Sequence, residues 1–209
     1  SIDFLSFILE IDSCSKILVS GSCLEYSNLN GSCSESDKSI PNNDFSWAKL
    51  SLHSWLSMKC HERGVALGWM RIFYVYGPGQ RSESLIPTIL SSLKNHRLPL
   101  LNNPNNANDF IFIDDVVNSF YLSTICQISS GVFNIGSGAS ISALDIFKYA
   151  EKIVLESDLL SQKLEKTFNK NISSINFWAD ISKAKRDLNW VPETSVHLGI
   201  EKTWLDFSK

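Results

Sequence analysis

Short apolar runs of strand length alternate along this chain with segments of helical period. "KILVS" at 16–20 and "VALGWMRIFYVY" at 65–76 are nearly unbroken in their apolar character, and an amphipathic stretch of helix length lies between them. A strand with one wet face alternates apolar and polar residues, whereas a run without that alternation is buried on both sides. Helix, buried strand, helix, buried strand is the pattern of a parallel sheet covered on both faces, and it predicts an α/β protein.

The remaining segments fit around that frame. Residues 1–12 read as the end of a helix, and the polar stretch from Gly21 to Asp44 reads as a loop by composition. A helix is predicted from about Ser46 to Arg63, with Trp47, Leu50, Trp55 and Met58 as its buried stripe and Gly64 as its stop. "GPGQ" closes the second apolar run. After Arg81 the texture changes to a helix at "SLIPTILSSLKNH", an extended Asn-rich connector, a strand at "FIFI" and a helix at "DDVVNSFYLSTI". "GVFNIGSG" is a strand and turn, and Ser142 with Asp145 supplies an N-cap and an acidic first turn for the helix that follows. Asp180 is expected to cap a last helical stretch that stops at Pro192.

Composition narrows the function classes. With 209 residues the chain can bury a substantial core, as one domain or one and a half. A net charge of −3 and the lack of a Lys/Arg cluster argue against a nucleic-acid or anionic-membrane surface. The apolar runs are too short to span a bilayer, and "SIDFLSFILEID" lacks the basic region of a signal peptide. Five cysteines without a CxxC pair read as reduced thiols of a cytoplasmic protein. "CHERG" at 60–64 holds only the first half of the zinc motif HExxH, so no metal is expected.

A sheet that binds a dinucleotide normally opens with strand, glycine-rich turn and helix, where the pyrophosphate meets the helix N-terminus. This chain has no such opening and starts in mid-helix. "GSGASI" at 136–141 is the only approach to GxGxxG, and Ile141 stands at its third glycine, so it reads as a plain strand-to-helix turn. The expectation is the C-terminal two thirds of something longer.

Six segments carry a resemblance. "ILVSGSCLEYS", "FSWAKLS", "RIFYVYGPGQR", "DFIFIDDVVNS", "VFNIGSG" and "ADISKAKRDLNWVP" resemble, in order and spacing, the extended short-chain dehydrogenase/reductases. These are the NAD-dependent epimerases and dehydratases that act on nucleotide sugars. The resemblance implies an incomplete doubly wound, Rossmann-type parallel sheet plus a smaller C-terminal substrate lobe. Residues 1–80 would be the C-terminal half of the dinucleotide-binding domain. Residues 81–209 would mainly build the substrate lobe, with segments about 109–138 returning to the sheet. It further implies NAD or NADP as cofactor, a nucleotide-diphosphate sugar as substrate, a role in polysaccharide biosynthesis, and a homodimer through the helix that carries Lys49.

Hydride transfer at a sugar carbon requires the sugar hydroxyl to lose its proton. In this family a tyrosine takes it as phenolate, its pKa lowered from near 10 by a lysine one helical turn away. That lysine also holds the nicotinamide ribose, and a serine on the preceding strand end holds the substrate oxygen. By resemblance Ser22 falls at the serine position, Lys49 at the lysine position and Phe45 at the tyrosine position. Phenylalanine has no proton to give or take. Phe73 and Val75 would lie beside the nicotinamide carboxamide. Tyr74, Arg81, Leu85 and Asn108 would face the substrate, with Asn108 where the family commonly has a diphosphate-pairing arginine. A second such arginine is replaced by Ser173, Ser174 or Asn176, which leaves Arg81, Lys170 or a residue outside this chain as substitutes. Read without the resemblance, Ser22 is a turn former, Lys49 a solvated helix lysine and Phe45 a core aromatic. The expected function is a nucleotide-sugar epimerase or dehydratase. The alternative is a non-catalytic relative, or a fragment, that binds a sugar nucleotide or a partner. Should the chain be active, Tyr26 is the first substitute for the missing base.

Overall fold

The computed structural model describes residues 2–126, 130–167 and 174–209. The first half runs α1 (Ile2–Leu9), β1 (Lys16–Ser22), β2 (Gly31–Cys33), α2 (Asp44–Arg63), β3 (Ala66–Ile72), β4 (Tyr74–Tyr76) and α3 (Leu85–Lys94). Then come β5 (Ala107–Asn108), β6 (Phe110–Phe112), α4 (Ile113–Ile125), β7 (Gly131–Ile135) and β8 (Ile141–Ser142). The chain closes with α5 (Ala143–Leu155), α6 (Leu159–Thr167), β9 (Phe177–Ala179), α7 (Ser182–Leu188) and α8 (Val196–Phe207).

The two apolar runs do pair as parallel neighbours. β1, β3 and β7 form a parallel sheet in that order, with Ser22 opposite Ile72 and Ile72 opposite Ile135, so their C-terminal ends share one edge. Leu56 and Cys60 of α2 pack with Leu9, Ile17 and Leu67 on one side of the sheet. Val116 of α4 and Leu188 of α7 join Met70, Phe133 and Trp190 on the other. The fold is therefore α/β with an incomplete Rossmann-type sheet. A third core, holding Ile86, Leu90, Ile146, Phe147 and Ile200, gathers α3, α5 and α8 into a lobe of their own.

Caps close the helix ends, with Gly64 and Ser142 acting as expected and α2 starting at Asp44, two residues before the expected Ser46. Asn43 and Ser46 cap α2 reciprocally, Asn43 Oδ1 accepting Ser46 N–H at 2.9 Å, and Gly64 ends the helix at φ 66°. Ser142 Oγ accepts Asp145 N–H at 3.0 Å and starts α5. The "GSG" turn is shaped for a carboxylate of the chain itself. Asp109 is fully buried and accepts N–H groups from Ser137, Gly138 and Ala179 at 2.6, 3.0 and 3.0 Å.

Four expectations are corrected. The stripe Trp47, Leu50, Trp55 and Met58 does not face the core as a whole: half-buried Trp55 packs against it, but Trp47 is 61% and Met58 50% exposed. Apolar residues occur on both sides of α2, and the sheet takes the side where small Ser46 and Cys60 let the helix approach. The run 65–76 is two strands, because at Phe73 the backbone changes partners. Phe73 N–H donates to Ile135 O, but Tyr74 N–H donates to Asp109 O, and β4 pairs with β6 in a separate sheet. The polar stretch after Gly21 contains β2, which pairs in parallel with β9 far along the chain. Asp180 does accept Ser182 N–H at 2.9 Å, but α7 is not the last helix, since Ser195 caps α8 beyond it. Among the described residues, no helix is long and apolar enough to cross a membrane.

β1 lies at the sheet's open edge, and Lys16 ties the end of α4 to it by bonds to the carbonyls of Ser123 and Cys126. Val117, Tyr121 and Ile125 are exposed at i, i+4 and i+8 on α4 beside this edge. The isolated chain is expected to self-associate through that face. Tyr121→Lys combined with Ile125→Lys is expected to move its light-scattering mass toward that of a monomer. A wild-type chain that is already monomeric at high micromolar concentration would contradict this.

Candidate functional site

Ligands of open α/β sheets bind at the C-terminal ends of the strands, and here that end is organised around Ser22. Ser22 is the last residue of β1 and caps the short 3-10 turn Cys23–Glu25, its Oγ accepting Leu24 N–H at 3.2 Å. α2 is drawn across the same strand by Lys49, whose Nζ donates to Ser20 O at 2.7 Å. Phe45 lies one turn earlier on α2, half exposed, with Lys49 Nζ 5.7 Å from its ring centroid. Ser22, Phe45 and Lys49 are thus gathered at one strand end.

A second group lies where β4 and β5 run. Tyr74 is partly exposed, its ring 5.7 Å from that of Phe110 and 5.9 Å from that of Phe177. Val75 follows it, and Asn108, half-buried, pairs with Ile141 across β5 and β8. Phe73 is buried with Cys23, Tyr26, Cys33 and Phe177, so the two groups share one aromatic core beneath them. Arg81 is exposed beyond the "GPGQ" turn, and Leu85 is half-buried against the lobe core at the start of α3. Lys170 and Ser173 lie outside the described residues.

Two charged residues that the sequence reading passed over hold this region together. Glu25 is fully buried and its carboxylate receives three donors: Ser22 N–H at 2.8 Å, Trp69 Nε1–H at 3.0–3.1 Å and Arg71 Nε–H at 3.0 Å. Arg71, also buried, donates from Nη2 to Ser39 Oγ at 2.8 Å and lies 4.5 Å from the centre of the Tyr26 ring. The clue was present in the sequence. Arg71 interrupts an otherwise apolar strand, and a charge in such a place must find a buried partner.

Tyr26 does not suit the role of substitute base. It is 1% exposed, its hydroxyl donates to Asn134 Oδ1 at 2.6 Å, and burial pushes its pKa up to about 12. Burial likewise pushes the Cys23 thiol up to about 12 and keeps it neutral. Among the described residues, no group of three or more His, Cys, Asp or Glu is placed to hold a metal. A groove of about 530 Å³ lined by His53, Ser57, His61 and Ser130 lies at the opposite, N-terminal ends of the strands.

Comparison with known proteins places this geometry in a family. The model of the NAD dependent epimerase/dehydratase family matches residues 4–136. UDP-glucuronate 4-epimerase of Thermodesulfobacterium geofontis is 28% identical over 145 residues, covering 68% of this chain and 43% of that protein. dTDP-4-dehydro-6-deoxyglucose reductase of Escherichia coli is 26% identical over 196 residues, covering 91% of this chain and 61% of that protein. Among solved structures, a tyrosine-to-phenylalanine variant of Bacillus cereus UDP-glucuronic acid 4-epimerase matches with a TM-score of 0.81 and 25% identity. It is in complex with UDP-4-deoxy-4-fluoro-glucuronic acid and NAD, and the match covers 99% of this chain and 65% of that one. The chain spans about half the length of the curated relatives.

Removing the Tyr26 hydroxyl tests its structural role. Tyr26→Phe leaves Asn134 Oδ1 without its donor and is expected to cost about 1–3 kcal/mol in urea unfolding near neutral pH. The folded pKa lies above the unfolded value of about 10. The phenol's contribution is therefore complete below pH 10 and is lost as pH rises from there toward 12. The gap between wild type and Tyr26→Phe should stay constant up to about pH 9 and narrow from about pH 10 toward pH 12. A constant gap would contradict the assignment.

Proposed function

The chain belongs to the NAD dependent epimerase/dehydratase family, and from that premise we propose that it forms the larger part of an NAD(P)-dependent enzyme acting on a nucleotide-diphosphate sugar. The observation that carries the reading is Lys49 held on Ser20 O, two residues before Ser22 at the C-terminal end of β1. In this reading Ser22 donates a hydrogen bond to the sugar oxygen and Lys49 binds the nicotinamide ribose. Tyr74 and Asn108 line the sugar side, and Val75 lies beside the nicotinamide.

The residues present fit the nicotinamide end of the cofactor, where a cation and open strand ends stand together. The chain has no glycine-rich turn to receive the pyrophosphate. When bound, the cofactor accepts and returns a hydride at the sugar carbon. The chain's own residues bind and orient that carbon's oxygen, and Phe45 leaves the proton without an acceptor. A non-catalytic, sugar-nucleotide-binding member is the second reading, and Phe45 is the observation that favours it. Binding at least is compatible with such an exchange, since the tyrosine-to-phenylalanine variant of the Bacillus cereus enzyme carries both ligands. A homodimer through α2 is consistent with the outward-facing Trp47 and Met58 and the neighbouring exposed Phe4 and Phe7 of α1. Five free cysteines fit a reducing, cytoplasmic setting.

The test is Phe45→Tyr in a chain completed with a glycine-rich N-terminal part, assayed on a panel of nucleotide sugars. A positioned general base is worth on the order of 10² to 10⁴ in rate. Turnover is expected to rise by about that factor, with NAD(P) affinity nearly unchanged. Equal, high turnover in both forms would place the base elsewhere. A bound but inactive tyrosine form would favour the non-catalytic reading.

A further inference from the structure

The geometry points to Glu25 as the positioning residue of Ser22, an inference that rests on the role given to Ser22 above. A turn cap alone does not require a carboxylate, because a glutamine oxygen would also accept Ser22 N–H. The surroundings of Glu25 contain only donors. Its Oε1 accepts from Ser22 N and Trp69 Nε1, and its Oε2 from Trp69 Nε1 and Arg71 Nε. Only an ionised carboxylate offers acceptors on both sides; an amide would turn an N–H₂ group against one of these donors. Arg71 fixes one oxygen, and the other is then directed at the backbone of Ser22. The serine's place at the strand end is set from below by a charge that does not itself reach the surface.

Gly21 gives a second, independent sign of the same construction. A Cβ at this position would collide with the Trp69 indole nitrogen and fall 2.8 Å from Glu25 Oε1. Its backbone is therefore kept bare where the carboxylate and the indole converge beside Ser22. The strand end is also held from α2, with Lys49 on Ser20 O. Ser22 thus sits in a clamp: Lys49 reaches the strand from α2, and Glu25 reaches it from the turn that follows.

The experiment uses the completed protein in its Phe45→Tyr form and compares Glu25→Gln, Gly21→Ala, Ser22→Ala and the two double variants with Ser22→Ala. Small misplacements of a positioned group cost on the order of 10²-fold in rate. Glu25→Gln and Gly21→Ala are each expected to lower kcat by about that factor while leaving NAD(P) affinity unchanged. In the Ser22→Ala background neither should lower kcat further, since both act through the same hydroxyl. Losses that multiply with Ser22→Ala, or that follow the folded fraction alone, would overturn the proposal. Gly21→Ala keeps the Glu25–Arg71 charges and so covers the case in which Glu25→Gln does not fold. If no form turns over any sugar, the enzymatic reading fails, and the position of Ser22 still decides the inference. Its amide resonance should shift in both variants, and an unmoved Ser22 amide would refute a positioning role for Glu25.

Discussion

A carboxylate and a guanidinium withdrawn from water at the end of the central strands determine how the surrounding segments can be arranged. Desolvating both charges of the Glu25–Arg71 pair is costly, and such a pair is kept only where further hydrogen bonds complete it. Here they do so fully for the carboxylate and in part for the guanidinium. Trp69 and the Ser22 backbone complete the carboxylate, while the guanidinium has Ser39 on Nη2 and the face of Tyr26 beside it, and its Nη1 is buried without a hydrogen-bond partner. The Tyr26 hydroxyl then passes to Asn134, whose amide reaches Cys33 O and Asp180 O. One buried pair therefore connects β1, β3, β7 and the segments of β2 and β9. Losing either partner would leave a bare charge at the junction of all of them.

Phe45 can be understood against this background. A lysine whose purpose is to favour a phenolate would be left without a partner when the phenol is gone. Lys49 is not left so. It donates to Ser20 O, and the Phe45 ring lies within cation–π range. The fold tolerates the phenyl group because the ammonium is satisfied by the strand it crosses.

Much of the fold was legible in the sequence because its signals are local. The strands at 16–20 and 131–135 announce themselves by composition, and the end of α2 and the start of α5 by the cap residues Gly64 and Ser142. What stayed hidden depended on partners remote in the chain. Nothing in "GSC" at 31–33 announces pairing with Phe177–Ala179. Period alone could not say which side of α2 meets the sheet, since both sides carry apolar residues. The break at Phe73 follows from two different carbonyl acceptors, Ile135 O and Asp109 O, on neighbouring residues. At the candidate site, Ser22, Phe45 and Lys49 were singled out through family spacing. Glu25 and Arg71 were found only when the two strands were side by side, although a lone arginine within "WMRIF" was a fair warning.

The pairing of β2 with β9 also orders events in time. Contacts between residues close in sequence form early, and closing a long loop carries an entropic cost that delays the contacts it brings. β2 emerges from the ribosome before α2, but its partner strand is made only after the whole α3–α6 lobe. Until then Gly31–Cys33 has no strand to join, whereas Ser39 is held locally by its bridge to Tyr26. The Asn134 and Cys33 end of this network is therefore among the last pieces to settle during synthesis, after the local bridge of Tyr26 to Ser39 has already formed beside Arg71.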